Sequence, residues 1–265
     1  MLKCKKNIKK ELKMGKQYSS LARVYDSLNG DFDYSAYAKY LDREIRDNES
    51  VPSALVLDLA CGTGKITFAL RELGYDMTGV DLSEDMLSEA REICTEKGIT
   101  DILWLCQSMQ EFELYGTVDA CVCCLDSINY LTSYDDLYSC FKLVHNYLIP
   151  DGVFVFDINT PYKFKNVYGD NAYILEDESS LVAWQNEYND KTKICKFYLS
   201  IFLENEDGSY ERLDEIQKER CYPIKKIETA LKDCGFEIIK ISGDLNGSPL
   251  FDTDERCYIT ARAKK

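Results

Sequence analysis

From residue 54 to residue 158, short apolar runs alternate with segments whose apolar residues recur every three or four positions. The runs at 54–59, 76–81, 102–106, 118–125 and 153–158 are short, nearly continuous and bounded by turn residues, which predicts buried strands. The helical period appears between them at 64–73, which ends at Gly74, a good residue just past a helix end. It appears again after Ser83, an N-cap type followed by Glu84 and Asp85 in the first turn. A third helix, 134–148, carries Leu137, Phe141, Val144 and Leu148 on one face and stops before Pro150. Such alternation predicts parallel β/α/β units.

Near residue 170 the pattern changes. Residues 181–188, 194–203 and 210–222 are long alternating runs rich in aromatic and β-branched residues. In the second, Cys195, Phe197, Leu199, Ile201 and Leu203 would face one way, and Lys196, Tyr198 and Ser200 the other. Asn189-Asp190-Lys191 and Glu206-Asp207-Gly208 supply turns, so the segment reads as an antiparallel insertion. Its aromatic residues, Trp184, Tyr188, Phe197, Tyr198 and Phe202, read as sheet core in preference to a recognition surface. The α/β pattern then resumes: Pro223 opens a helix with Ile224, Ile227 and Leu231 on one face, and strands at 236–241 and 257–262 follow.

Composition narrows the class. The formal charge of −14 repels polyanions, and outside the N-terminal lysines there is no basic patch, so nucleic acid is an unlikely partner. No window approaches the length of a membrane span, and the basic start lacks the apolar core of a signal peptide. The expected location is cytoplasmic. Twelve cysteines in a chain without an export signal read as reduced thiols, and Cys121-Val122-Cys123-Cys124 lies in an apolar run where thiols pack as small hydrophobes. With no paired CxxC knuckles and a single histidine, His145, no metal site is expected.

The candidate chemistry starts at Val56-Leu57-Asp58-Leu59-Ala60-Cys61-Gly62-Thr63-Gly64, a strand running into a glycine-rich turn and a helix. Gly62 and Gly64 let the backbone approach a ligand, and the helix start offers free N–H groups. A pyrophosphate-binding turn wants a third glycine where Thr67 stands, so a dinucleotide, and with it a nicotinamide dehydrogenase, fits poorly. On this reading Asp81→Ala should weaken binding severely and substitutions at Thr67 should matter less. Asp81 ends the next strand, 17 positions beyond Gly64, where a carboxylate can accept both hydroxyls of a ribose. Asp58 either serves the ammonium end of an amino-acid moiety or only caps the loop. A ligand with a ribose at one end and an ammonium group at the other accounts for both acids.

These motifs resemble those of class I S-adenosylmethionine-dependent methyltransferases, over nearly the whole chain. The match is with small-molecule enzymes that carry an N-terminal helical lid and an antiparallel insertion after the fifth strand. The resemblance implies an α/β fold, a Rossmann-like, mostly parallel seven-stranded sheet with a small antiparallel β insertion subdomain. Its parts would be a helical lid at 1–50, a core at 51–168 and 221–265, and the insertion at 169–220. It implies S-adenosyl-L-methionine as cofactor, contacted by Asp58, Ala60, Gly62, Gly64, Asp81, Leu82, Met86, Ser108, Met109 and Cys124. Ser108 stands where many members carry Asp. The segment Tyr18-Ser-Ser-Leu-Ala-Arg-Val-Tyr25-Asp26, followed by Asp33-Tyr34, resembles the lid, which implies cofactor contact for Tyr18 and Tyr25.

Residues beyond the carboxyl ends of the fourth and fifth strands face the ligand in open α/β sheets. They include Asp126, Ser127, Asn129, Tyr130, Asp157 and Asn159, with Asp126, Asn159 and Tyr25 the candidate catalytic residues. Asn159 cannot act as a base, so Asp126 or a tyrosine would, unless alignment alone suffices. Asp126 reads equally as a loop cap, and Asp157 as a strand-end residue. No Pro-Pro motif of adenine or cytosine methyltransferases follows the fourth strand. The reading is methyl transfer to N or O of a small molecule by a monomer or homodimer. Methylation of a protein or tRNA, or cofactor binding without catalysis, are the alternatives.

Overall fold

The computed structural model describes residues 32–177 and 179–265. Tyr18 and Tyr25 therefore lie outside the described residues. The first described helix, α1 (Tyr34–Arg46), begins at Asp33, whose side chain accepts from the Ala36 N–H at 2.8 Å. It buries Tyr37, Ala38, Tyr40, Leu41 and Ile45 against the sheet.

The strands β1 (Leu55–Leu59), β2 (Asp76–Asp81), β3 (Leu103–Cys106), β4 (Val118–Cys123), β5 (Leu148–Asn159), β10 (Phe236–Ser242) and β11 (Arg256–Ala263) form one sheet in the order β10-β11-β5-β4-β1-β2-β3. All neighbours in β5-β4-β1-β2-β3 are parallel, and β11 runs antiparallel between β5 and β10. The seven-stranded, mostly parallel expectation holds. The connections are α2 (Lys65–Glu72), α3 (Glu84–Lys97), α4 (Tyr134–Tyr147) and α5 (Ile224–Asp233). Ser83 caps α3 through Met86 N–H, and Gly98 ends it in the left-handed region at φ 66°. Burial is nearly complete along β4 and the second half of β5, which is why their sequences are unbroken apolar runs.

The insertion is a separate antiparallel sheet in the order β6-β7-β8-β9: β6 (Ala172–Glu176), β7 (Ser180–Asn189), β8 (Ile194–Glu204) and β9 (Tyr210–Arg220). A π-helical turn, Lys163–Tyr168, leads into it. Strand β6 was not anticipated; its short run alternates exposed and half-buried, as an edge strand does, and leaves little apolar signal. On β8 the expected inward face is observed, with Cys195, Phe197, Leu199 and Ile201 buried. Of the expected core aromatics, Trp184, Tyr188 and Phe197 pack with Phe164 and Tyr168. Tyr198 and Phe202 occupy the opposite face, where Tyr198 donates to Glu187 at 2.9 Å and Arg212 lies over Phe202. Among the described residues no helix is long and apolar enough to cross a membrane.

Candidate active site

The order of strands reverses between β1 and β4, so the crevice at their carboxyl ends is the natural ligand site. The backbone there is contorted. Ala60 after β1, and Leu125 and Asp126 after β4, adopt positive φ of 61°, 55° and 57°. Non-glycine residues held in this region cost energy and persist only where neighbours hold them in place.

A cavity of about 250 Å³ opens between these turns. Asp81 stands in it with both oxygens oriented by backbone: Oδ2 accepts from Gly62 N–H at 2.8 Å and Oδ1 from Ser83 N–H at 2.8 Å. A carboxylate has about four lone-pair sites, so Asp81 retains acceptor capacity for two hydroxyls. Burial raises its pKa, opposed by the backbone N–H bonds. Leu82, Met86, Met109, Leu125 and Leu131 supply apolar walls. Ser108, which lines the cavity, adds a buried hydroxyl that has no partner among the described residues.

A smaller recess of about 40 Å³ continues from this cavity, sharing Ala60, Gly62, Leu125 and Ser127 with it. Asp58, Tyr34, Lys65 and Cys124 line it. Asp58 is only 1% exposed, and burial pushes its pKa up to about 7, against the hydrogen bond from Thr67 Oγ1 at 2.6 Å. Thr67, expected to matter less than Asp81, is thus a residue that holds Asp58. Gly62 lines both spaces. Gly64 lines neither. It turns left-handed at φ 81° ahead of α2, and a Cβ there would stand 2.6 Å from the Trp104 ring. Its small size serves packing of Trp104, as does that of Gly79.

The catalytic-face residues divide by burial. Asp157 is fully buried at the end of β5 and accepts from the Tyr37 hydroxyl, Leu125 N–H (2.7 Å) and Asp126 N–H (2.9 Å). The Arg256 guanidinium on β11 grips Asp157 with one nitrogen and Asp126 with the other, the latter at 2.8 Å. This clamp holds the contorted turn after β4. Asp126, the candidate base, therefore stands as half of an ion pair. Asn159 is buried and donates through Nδ2 to Glu219 on β9 at 3.1 Å, while its backbone N–H donates to Asn129 Oδ1 at 2.9 Å. Asn129 Nδ2 in turn donates to the Arg220 carbonyl at 2.8 Å, and Tyr130, which lines the cavity, donates to Gln217 at 2.9 Å.

Sequence reasoning did not identify Lys65, Thr67, Arg256, Lys163 or Glu219 as part of this region. Thr67 carried a signal, a polar residue on the buried face of a helix. Arg256 and Glu219 carried none, because strands far apart in sequence bring them to the site. Among the described residues no group of three or more His, Cys, Asp or Glu could hold a metal ion.

Comparison with known proteins agrees with this architecture. Residues 56–152 match the family described as methyltransferase domain. YqeM of Bacillus subtilis (strain 168), which bears the name of a methyltransferase, is 33% identical over 249 residues, covering 94% of this chain and 98% of its own. A solved S-adenosylmethionine-dependent methyltransferase from Clostridium acetobutylicum ATCC 824 aligns with a TM-score of 0.84 at 32% identity, over 94% of this chain and 99% of that one. The chain belongs to the class I S-adenosylmethionine-dependent methyltransferases. More distantly, it is 25% identical to the dTDP-3-amino-3,4,6-trideoxy-alpha-D-glucopyranose N,N-dimethyltransferase of Streptomyces venezuelae, over 87% of this chain and 95% of that one.

Proposed function

We propose that the protein transfers a methyl group from S-adenosyl-L-methionine to a nitrogen or oxygen of a small molecule by in-line displacement. The observation that carries this reading is the pair of carboxylates at the two ends of one continuous space, Asp81 in the cavity and Asp58 in the adjoining recess. The cofactor, when bound, supplies a methyl group made electrophilic by a sulfonium.

The residues fit it. Asp81 has acceptor capacity for ribose hydroxyls, and Asp58 provides a buried carboxyl that ionises to meet an ammonium group. Lys65 brings a positive charge suited to a carboxylate. Leu82, Met86, Ser108 and Met109 form the adenine side, and Ala60, Gly62 and Cys124 border the passage between the two ends. Gly64 acts indirectly, through the turn. Tyr18 and Tyr25 complete the set from the N-terminal segment. Asp126 and Asn159 border the acceptor and hold its position, a role the family resemblance also gives to Tyr25; alignment of this kind removes about 7–11 kcal/mol from a bimolecular barrier. The amino-sugar N,N-dimethyltransferase relative supports a small acceptor.

Calorimetric titration with S-adenosylhomocysteine tests the cofactor site, with micromolar binding expected. Incubation of cell extract with methyl-tritiated cofactor tests the acceptor class, with label expected in the small-molecule fraction. Absence of binding by folded protein, or label confined to macromolecules, overturns the reading.

A further inference from the structure

The inward row of β9 departs from what a packed sheet requires. Where apolar side chains are expected, it presents Glu215, Gln217 and Glu219, which are 6%, 4% and 2% exposed. Gln217 accepts from Tyr130 and donates to Glu215 at 3.0 Å, so the row is tied to the wall of the cofactor cavity. Glu219, by contrast, accepts one hydrogen bond among the described residues, from Asn159 Nδ2, and no cation lies within ion-pairing distance of it.

Its surroundings are short of positive charge. Asp126, Lys163 and Arg256 act on Glu219 through space, with Tyr168 and Cys195 beside it. Arg256 is already committed to both Asp126 and Asp157. Among the described residues, Asp126, Asp157, Glu219 and Glu255 therefore share Arg256 and Lys163. Burial, followed by the charge of Asp126, pushes the Glu219 carboxyl well above its usual range, and burial lowers the Lys163 ammonium.

An independent observation points to a missing donor. Asn159 Oδ1 is buried and accepts nothing among the described residues, while Nδ2 of the same amide is occupied by Glu219 and by the Tyr168 oxygen at 3.4 Å. The amide turns its NH₂ end to the Glu219 carboxyl and leaves Oδ1 facing no donor among the described residues. A buried acceptor without a donor, next to a buried carboxylate without a cation, is costly to maintain unless something else supplies both. The cluster adjoins the cofactor cavity through the Arg256–Asp126 ion pair, whose side chains remain 20% and 16% exposed, while Glu219 and Asn159 lie buried behind it. Asp126 sits between Leu125 and Ser127, both of which line the cofactor cavity.

We propose that Glu219 and the Asn159 carbonyl oxygen receive the methyl acceptor, and that this acceptor is a small-molecule amine entering as its ammonium. The proposal rests on the small-molecule methyltransferase reading above. An ammonium supplies the missing charge and donates to both oxygens, whereas an alcohol leaves the charge uncompensated and a phosphate adds to the imbalance. Glu219 takes one ammonium proton as the N–H bond breaks, leaving a lone pair on nitrogen. That pair forms the N–C bond to the transferred methyl while the C–S bond breaks and its electrons stay on sulfur. The product leaves as a methylated ammonium, and Glu219 returns its proton to water. Glu219 is then the acid–base residue, and the Arg256-bound Asp126 a positioning residue.

The test compares matched probes on the protein saturated with S-adenosylhomocysteine: cyclohexylamine against cyclohexanol, and benzylamine against benzyl alcohol, by ligand-observed NMR. Each amine should bind at least tenfold more tightly than its alcohol, with affinity rising as pH increases and Glu219 ionises. Glu219→Gln should abolish the preference and leave S-adenosylhomocysteine affinity within twofold. Equal binding of amine and alcohol by the wild-type protein, including binding of neither, overturns the proposal without needing a variant. So does an amine preference that survives Glu219→Gln. Failure of S-adenosylhomocysteine to bind overturns the methyltransferase reading along with it.

Discussion

At the scale of single residues, three side chains decide how the cofactor space behaves. Asp81 is held open by two backbone N–H groups, and among the described residues it and Asp136 are the carboxylates that line the cavity. Charged hydrogen bonds of this kind contribute about 1.5–3 kcal/mol each, so Asp81→Ala should weaken S-adenosylhomocysteine by about 100-fold or more in calorimetry. Asp58 is protonated up to about pH 7 in the folded chain and ionises near 3.8 when exposed. Between those values the folded state holds a proton that the unfolded state releases, so ligand-free stability falls as pH rises through that window. Asp58→Asn should flatten this part of the profile, which urea midpoints at about pH 5 and about pH 8 would reveal; parallel profiles would refute it. Thr67→Val removes the one side-chain donor to Asp58. It should cost about 1–3 kcal/mol of stability and measurably weaken cofactor binding. The carboxylates at 58 and 81 were legible because Asp58 lies near the end of the strand that runs into the glycine-rich turn and Asp81 ends the next strand. The hydrogen bond that controls Asp58 was not, because Thr67 looked like a helix position that lacked a glycine.

At the scale of elements, the turn after β4 depends on β5 and β11. Leu125 and Asp126 take left-handed backbone that their own side chains disfavour, and Asp157 secures both of their N–H groups. Arg256 balances the charge this creates. Arg256→Met leaves two carboxylates without their cation and should cost about 3–5 kcal/mol in denaturant unfolding, with cofactor affinity falling as the turn relaxes. Asp157 was anticipated as a strand-end residue, and its geometry agrees with that. Its partner was beyond reach of a local pattern, since β11 pairs with β5 across nearly a hundred residues of chain. Similarly, strands β7 to β9 were evident from their alternation, while edge strand β6 had too few buried positions to register.

At the scale of the whole molecule, the antiparallel sheet is joined to the catalytic face through polar side chains. Asn129 is central: its amide donates to the Arg220 carbonyl at the end of β9 and accepts from Asn159 N–H at the end of β5. Asn129→Ala should speed hydrogen exchange at the β9 amides by about tenfold or more, while exchange in β1 and β4 stays unchanged. Uniform acceleration across both sheets would refute this local coupling. The parallel core, the insertion and the positions of Asp58 and Asp81 beside the glycine-rich turn could be read from the sequence alone, because periodicity, turn residues and a contiguous motif are local properties. Only the tertiary structure brought Arg256, Lys163 and Glu219 beside Asp126 and Asn159. Charge balance in a buried cluster is set by which strands become neighbours, and that is not written in any one segment of the chain.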